Sequence, residues 1–355
     1  NLQEIYFPIN EPLKKYLSGR LRFHTARFFR DKIYLYPING FFFLCLDLNS
    51  DDYTILYEDP ATVYCPTNSI NNGEIFFTKW NVVDAFTRKR QDDNIPLTFG
   101  KYNIEHNRFV TLKQIEGPDN IHDTVCSPNG RYVIAVEMPR TVPVPPSDKL
   151  TADNMRLVLA GGIGKSRIIR YDIVQKQAEW IYTTKSPSHI VFDKRNPDIA
   201  YIADSNLWVS YCFGTGRIEQ YNFRKGIELV GSYEADDFYR IPSHDILLYN
   251  NKSFMCTTVF SNQVHLLDTD GMTLTKRIYL SDKRRVPDFS RGPYQYPNHD
   301  RTPYTLHPID GTPYLILASL WGVWILNTDN EKIIAKIRYN DSGYPTSSMG
   351  HSICF

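Results

Sequence analysis

The chain is poor in charge imbalance, in long apolar runs and in paired cysteines, and each shortage excludes something. Among its 355 residues no run approaches the ~20 apolar positions of a membrane span. The longest apolar stretch, FFFLCLDL from Phe41, reads as a buried strand. A formal net charge of +1 removes the electrostatic case for nucleic acid or an anionic membrane surface. The six cysteines (Cys45, Cys65, Cys126, Cys212, Cys256 and Cys354) are scattered singly with no CxxC, so buried free thiols are expected in place of a disulfide framework or a zinc ribbon. That usage points to a reducing, cytoplasmic setting. No long segment keeps a helical period; Glu11–Leu17 offers a turn or two at most. No GxSxG or HExxH pattern is present.

What remains is β chemistry. Short runs rich in Val, Ile, Tyr, Phe and Thr alternate with Asn, Asp and Gly turns, and aromatic residues make up 14% of the chain. One interval reads as HDTVC, the turn SPNG, then RYVIAVEM, SRIIRYDI and AEWIYTT. Two later intervals repeat the plan, HDILLY–FMCTTVF–NQVHLLD–KRIYL and YTLHPI–YLILASL–VWILN–IIAKIRY.

Four histidines mark the repeat. His24, His122, His189 and His244 each stand ten residues before an apolar residue of a following run: Tyr34, Tyr132, Ile199 and Phe254. His351 occupies a fifth such slot at the C-terminus, and Tyr64 and Tyr304 fill the slot elsewhere. These slots lie 40 to 67 residues apart, near the ~40–50 of one propeller blade with insertions. The expectation is a single all-β domain over 1–355, a β-propeller of seven four-stranded blades, with six as the alternative. Leu2–Ile9 would complete the seventh blade. A Pro-rich insertion at 139–153 and a loop at 286–302 carrying Tyr294 and Tyr296 are candidate lids.

A residue type recurring at one slot of a propeller forms a ring about the axis. The candidate metal ligands are therefore His122, His189, His244, His351 and His24. Asp123 and Asp245 follow two of them and could receive the second ring N–H of a ligand. His299, before Asp300, and Tyr304 are further candidates at the same mouth. His106 and His265 are expected on the surface or in packing, and His307 to point elsewhere in its blade.

The segment Cys126–Val136, CSPNGRYVIAV, resembles the hairpin common to YVTN-type propellers. With His122, His189, His244 and His351 at blade starts, the chain also resembles carotenoid cleavage oxygenases and selenium-binding-type methanethiol oxidases, which hold a metal with histidines on a propeller. That resemblance implies a histidine-held Fe(II), with copper as the alternative, and oxidoreductase or oxygenase chemistry on a small organic substrate. Two other readings stand beside it: a non-catalytic propeller used as a binding scaffold, and a metal-free cyclase or lyase using His122 or His244 as base. Gly161–Ser166 (GGIGKS) is similar to half of a P-loop, but RIIRYDI follows as a strand where a helix N-terminus is required.

Overall fold

The computed structural model describes residues 23–37, 41–50, 52–59, 63–64, 68–81, 96–116, 121–137, 166–183, 187–204, 217–234, 243–249, 253–258, 263–280, 305–309, 311–319 and 322–338. They form antiparallel sheets joined in simple chain order. Sheet 1 holds β1 (Phe23–Phe29), β2 (Lys32–Pro37), β3 (Phe41–Asp47) and β4 (Asp52–Asp59). Sheet 2 holds β5 (Val63–Tyr64), β6 (Asn68–Asn71), β7 (Glu74–Asn81), β8 (Leu97–Asn103) and β9 (Arg108–Ile115). Sheet 3 holds β10 (Ile121–Cys126), β11 (Tyr132–Glu137), β12 (Ser166–Asp172) and β13 (Gln177–Thr183). Sheet 4 holds β14 (Pro187–Phe192), β15 (Ile199–Asp204), β16 (Arg217–Asn222) and β17 (Glu228–Glu234). Sheet 5 holds β18 (Ser243–Tyr249), β19 (Ser253–Thr258), β20 (Gln263–Asp268) and β21 (Thr273–Tyr279). Sheet 6 holds β22 (Thr305–Pro308), β23 (Tyr314–Ser319), β24 (Gly322–Asn327) and β25 (Lys332–Arg338).

The apolar core lies between sheets. Each of five clusters joins two consecutive ones: Phe43 with Phe77 and Tyr102, Leu97 and Phe99 with Val133 and Ile169, Ile134 and Ile168 with Ile190 and Ile202, Tyr201 and Ile218 with Ile246 and Leu267, and Val264 and Ile278 with Leu315 and Trp324. Burial of each such side chain contributes ~1.5–3 kcal/mol. Neighbouring sheets also touch through their first strands, β1 on β6, β6 on β10, β10 on β14, β14 on β18 and β18 on β22. The fourth strands lie outermost: β11 is buried at all six positions, whereas β13 and β17 are mostly open to solvent. Sheets packed face on face with first strands inward and fourth strands outward make a β-propeller.

Among the described residues there are six sheets, five of the four-stranded form and sheet 2 with five strands, against the seven blades expected first. Sheet 2 has five strands because its first strand is in two pieces: β5 and β6 both pair with β7, and the ladder gains one residue between Tyr64↔Trp80 and Asn68↔Phe77. Pro66, which cannot donate to a ladder, falls between them in the sequence. The segments assigned to a seventh blade, 2–9 and 351–355, lie outside the described residues, as do both candidate lids.

A second device recurs in every sheet. The third strand ends on Asp or Asn, whose side chain accepts a backbone N–H in the hairpin that follows: Asn49 to Asp47, His106 to Asn103, Val174 to Asp172, Arg224 to Asn222, Asp270 to Asp268 and Asp329 to Asn327, at 2.8–3.0 Å. Short polar side chains mimic a backbone turn in this way. The SPNG hairpin adds its own: Ser127 Oγ accepts the N–H groups of Tyr132 (2.8 Å) and Arg131 (3.1 Å), with Gly130 at φ 70°. Among the described residues no helix is long and apolar enough to cross a membrane.

Candidate functional site

The four slot histidines all lie at the start of the first strand of their sheet, and all lie in a bulge. In sheet 1 the register runs from Phe23↔Pro37 to Thr25↔Tyr36, so His24 is the extra residue. In sheet 3 it runs from Ile121↔Glu137 to Asp123↔Val136, and His122 is the extra residue. In sheet 4 the pairs are Pro187↔Asp204 and Ile190↔Ile202, which leaves Ser188 and His189 opposite a single residue. In sheet 5 Ser243↔Thr258 is followed by Ile246↔Cys256, leaving His244 and Asp245 opposite one. A bulge bends the strand and re-aims a side chain that the pleat would otherwise direct.

His189 and Asp123 show what such a bulge does. Successive residues of a regular strand point to opposite faces. Ile190 packs into the cluster with Ile134 and Ile168 of sheet 3. His189, its neighbour in sequence, also faces sheet 3, with Nδ1 3.8 Å from Asp123 Oδ2. Both residues are buried, at 8% and 4% exposure. The carboxylate is fixed by two backbone donors: Thr124 N–H to Oδ1 at 2.8 Å, and Ile190 N–H to Oδ2 at 2.8 Å. Asp123 thus bridges β10 and β14 and stands beside Nδ1 of the histidine. The 3.8 Å separation is an electrostatic contact, longer than a hydrogen bond.

Of the sequence-derived site residues, side chains are described for His189 and Asp123, and these two come together. His24, His122, His244 and Asp245 are placed by their backbone at equivalent bulges. His299, Tyr304 and His351 lie outside the described residues. Among the described residues no group of three or more His, Cys, Asp or Glu side chains forms a metal cluster. Tyr64, read as an equivalent slot, lies in β5.

The other histidines have separate roles. His106 is exposed on a hairpin. His265 is buried in β20, with Nδ1 3.2 Å from the Tyr233 hydroxyl. His307, in β22, is held well below its ordinary range, at about 4, first by burial and then by the positive charge of Arg27 in β1. Cys45 and Cys126 are free and buried; burial raises both thiols, Cys126 to about 12.

The bulges escaped the sequence reading because one added residue leaves the hydrophobic pattern of a short strand almost unchanged. The Asp/Asn at the end of each third strand did leave a signal, an apolar-then-Asp/Asn pair at Leu46-Asp47, Tyr102-Asn103, Tyr171-Asp172, Tyr221-Asn222, Leu267-Asp268 and Leu326-Asn327.

Comparison with protein-family models and with characterised protein sequences finds no match. Solved structures match in fold. Hydrazine synthase of Kuenenia stuttgartiensis superposes with a TM-score of 0.60 at 12% identity, covering 90% of this chain and 88% of that one. A streptogramin B lyase gives 0.58 at 12% identity, over 90% and 84%. The β-propeller domain of Myceliophteria thermophila Cps50 gives 0.55 at 9% identity, over 90% and 88%. These likenesses carry the architecture, a β-propeller, and single out no histidine-liganded metal family.

Proposed function

We propose that the bulge-borne histidines His24, His122, His189 and His244, with His351, hold one divalent transition metal on the propeller axis. On this reading the protein is a metal-dependent oxidoreductase or oxygenase for a small organic substrate, with Fe(II) as the metal and copper as the alternative. The supporting observation is the coincidence of four histidines with four first-strand bulges, three of them on strands that touch in succession, β10 on β14 and β14 on β18. Bulges are over-represented at sheet edges and beside functional sites, where they re-aim a side chain.

The chemistry of the donors fits such a metal. Neutral imidazoles suit iron and copper. Asp123 Oδ2 lies 3.8 Å from Nδ1 of His189 and would favour ligation through Nε2, as in a carboxylate–histidine–metal arrangement. The metal would supply dioxygen binding and electron transfer. The Asp123 carboxylate, fixed by the Thr124 and Ile190 N–H groups, would stabilise positive charge on the His189 ring.

A direct test is cobalt(II) reconstitution of metal-free protein. Ligand-field bands in the visible range that vanish in His122→Ala and in His244→Ala support the reading; a spectrum no different from free cobalt(II) rejects it. The same Asp123–His189 pair favours a second reading, a metal-free lyase or cyclase with His189 as general base. Turnover that survives exhaustive chelation would select that second reading.

A further inference from the structure

A groove of about 650 Å³ opens on the outer rim, between the edge strands of sheets 2 and 3 and the β16–β17 hairpin. It centres on the β12–β13 hairpin, at the end of sheet 3 away from His122. Its walls carry Lys113 from β9, Lys176 from the β12–β13 hairpin, and Arg224 and Lys225 from the β16–β17 hairpin. None of these four side chains takes part in a hydrogen bond or ion pair among the described residues. Glu116 is the one carboxylate in the lining without a cationic partner. The lining's other acid, Glu179, is engaged: its Oε1 accepts Arg170 Nη1 at 2.7 Å. Arg170 is almost fully buried, with Nη2 on Asp172 Oδ2 at 3.1 Å and its guanidinium 4.6 Å from the Tyr132 ring centre. Trp180 of edge strand β13 also lines the groove and is 37% exposed.

Four cations against one unpaired carboxylate, Glu116, leave the lining of this concavity net positive, a potential that a multiply charged anion would relieve. The volume lies within the usual range of small-molecule sites. The indole of Trp180, which already carries the Arg167 guanidinium 5.4 Å from its ring centre, offers its exposed remainder to a planar ring. We propose that this groove binds a small organic polyanion bearing an aromatic ring, of the nucleoside polyphosphate class. Glu179 then stands where an anionic group of the ligand would approach Arg170, and it opposes binding.

Titration calorimetry on the full chain at low salt, with ATP, inorganic tripolyphosphate and adenosine as probes, tests this. ATP binds, and adenosine binds far more weakly. The double variant Lys176→Glu/Lys225→Glu, both exposed positions, weakens ATP by roughly tenfold or more. Glu179→Gln tightens it by roughly threefold, and Trp180→Ala weakens ATP but not tripolyphosphate. Absence of ATP binding, or affinity unchanged in the double variant, overturns the site. Equal affinity for tripolyphosphate and ATP, insensitive to Trp180→Ala, overturns the ring-bearing class. Binding of an acidic peptide such as poly-glutamate in place of ATP makes the groove a protein dock and also overturns the proposal. Metal content is measured on the same samples, so this outcome is independent of the histidine ring.

Discussion

Asp123 accepts the backbone N–H of Ile190, 67 residues further along the chain, at 2.8 Å, and so fastens the bulge of one blade to the first strand of the blade before it. The histidine that this bulge presents stands next to the same carboxylate. One buried acid therefore serves both the seam between sheets 3 and 4 and the aim of His189.

Removing that acid should be felt in stability as well as in the site. Asp123→Ala strands two buried N–H donors, and its unfolding free energy should drop by about 3 kcal/mol. Asp123→Asn keeps an acceptor and should lose less. Urea denaturation of the two variants beside the wild type checks this; equal loss would mean that the carboxylate's bonds do not hold the seam.

The hairpin residue Asp172 is fully buried and accepts from Val174 N, Gln175 N, Arg131 and Arg170. Asn222 holds the same position in sheet 4 at an exposed turn. Asp172→Ala should cost about 3–5 kcal/mol, because the buried Arg170 loses a counter-charge. Asn222→Ala should cost about 1 kcal/mol. Thermal melts of the pair would reveal the difference, and similar melting points would refute it.

Gly100 in β8 has no room for a methyl group: an added Cβ would lie 2.8 Å from Phe77 Cζ and 2.9 Å from Phe109 Cε2. Both rings belong to, or pack on, the cluster joining sheets 1 and 2. Gly100→Ala should therefore destabilise by about 1–3 kcal/mol through overpacking. Gly311, with nothing near its Cβ but a φ of 74°, is the control where any cost comes from backbone strain.

His307 carries a pH dependence whose sign is fixed. Its folded value, about 4, lies below the ordinary 6.5, so the folded state favours the neutral ring. The unfolded chain binds the proton first, so stability is complete above pH 6.5 and falls as pH drops towards 4. His307→Gln should flatten that fall in unfolding free energy between pH 7 and 4. A ring that titrates near 6.5 by NMR in the folded protein would contradict the burial account.

Much of the architecture was legible because each blade writes the same chemistry. HDTVC, RYVIAVEM, SRIIRYDI and AEWIYTT coincide with β10 to β13, and the ten-residue offset carries each slot histidine from the start of a first strand to the start of its partner. The slots from His24 to Tyr304 fall in or directly before the first strands of the six described sheets, but spacing cannot tell that the first strand of sheet 2 is split around Pro66. The bulges were invisible for a related reason: periodicity reports which residues are apolar, whereas a bulge changes which face the next residue takes. The groove beside Trp180 collects residues from three sheets, and no local motif announces it.

The central claim is that the bulges aim histidines at a metal. Elemental mass spectrometry on untagged protein tests it most directly, with His189→Ala and His106→Ala prepared in parallel. The account predicts about one iron or copper per chain in the wild type and in His106→Ala, and its loss in His189→Ala. Protein that carries no metal after aerobic and anaerobic reconstitution, or a His189→Ala variant as fully loaded as the wild type, would contradict it.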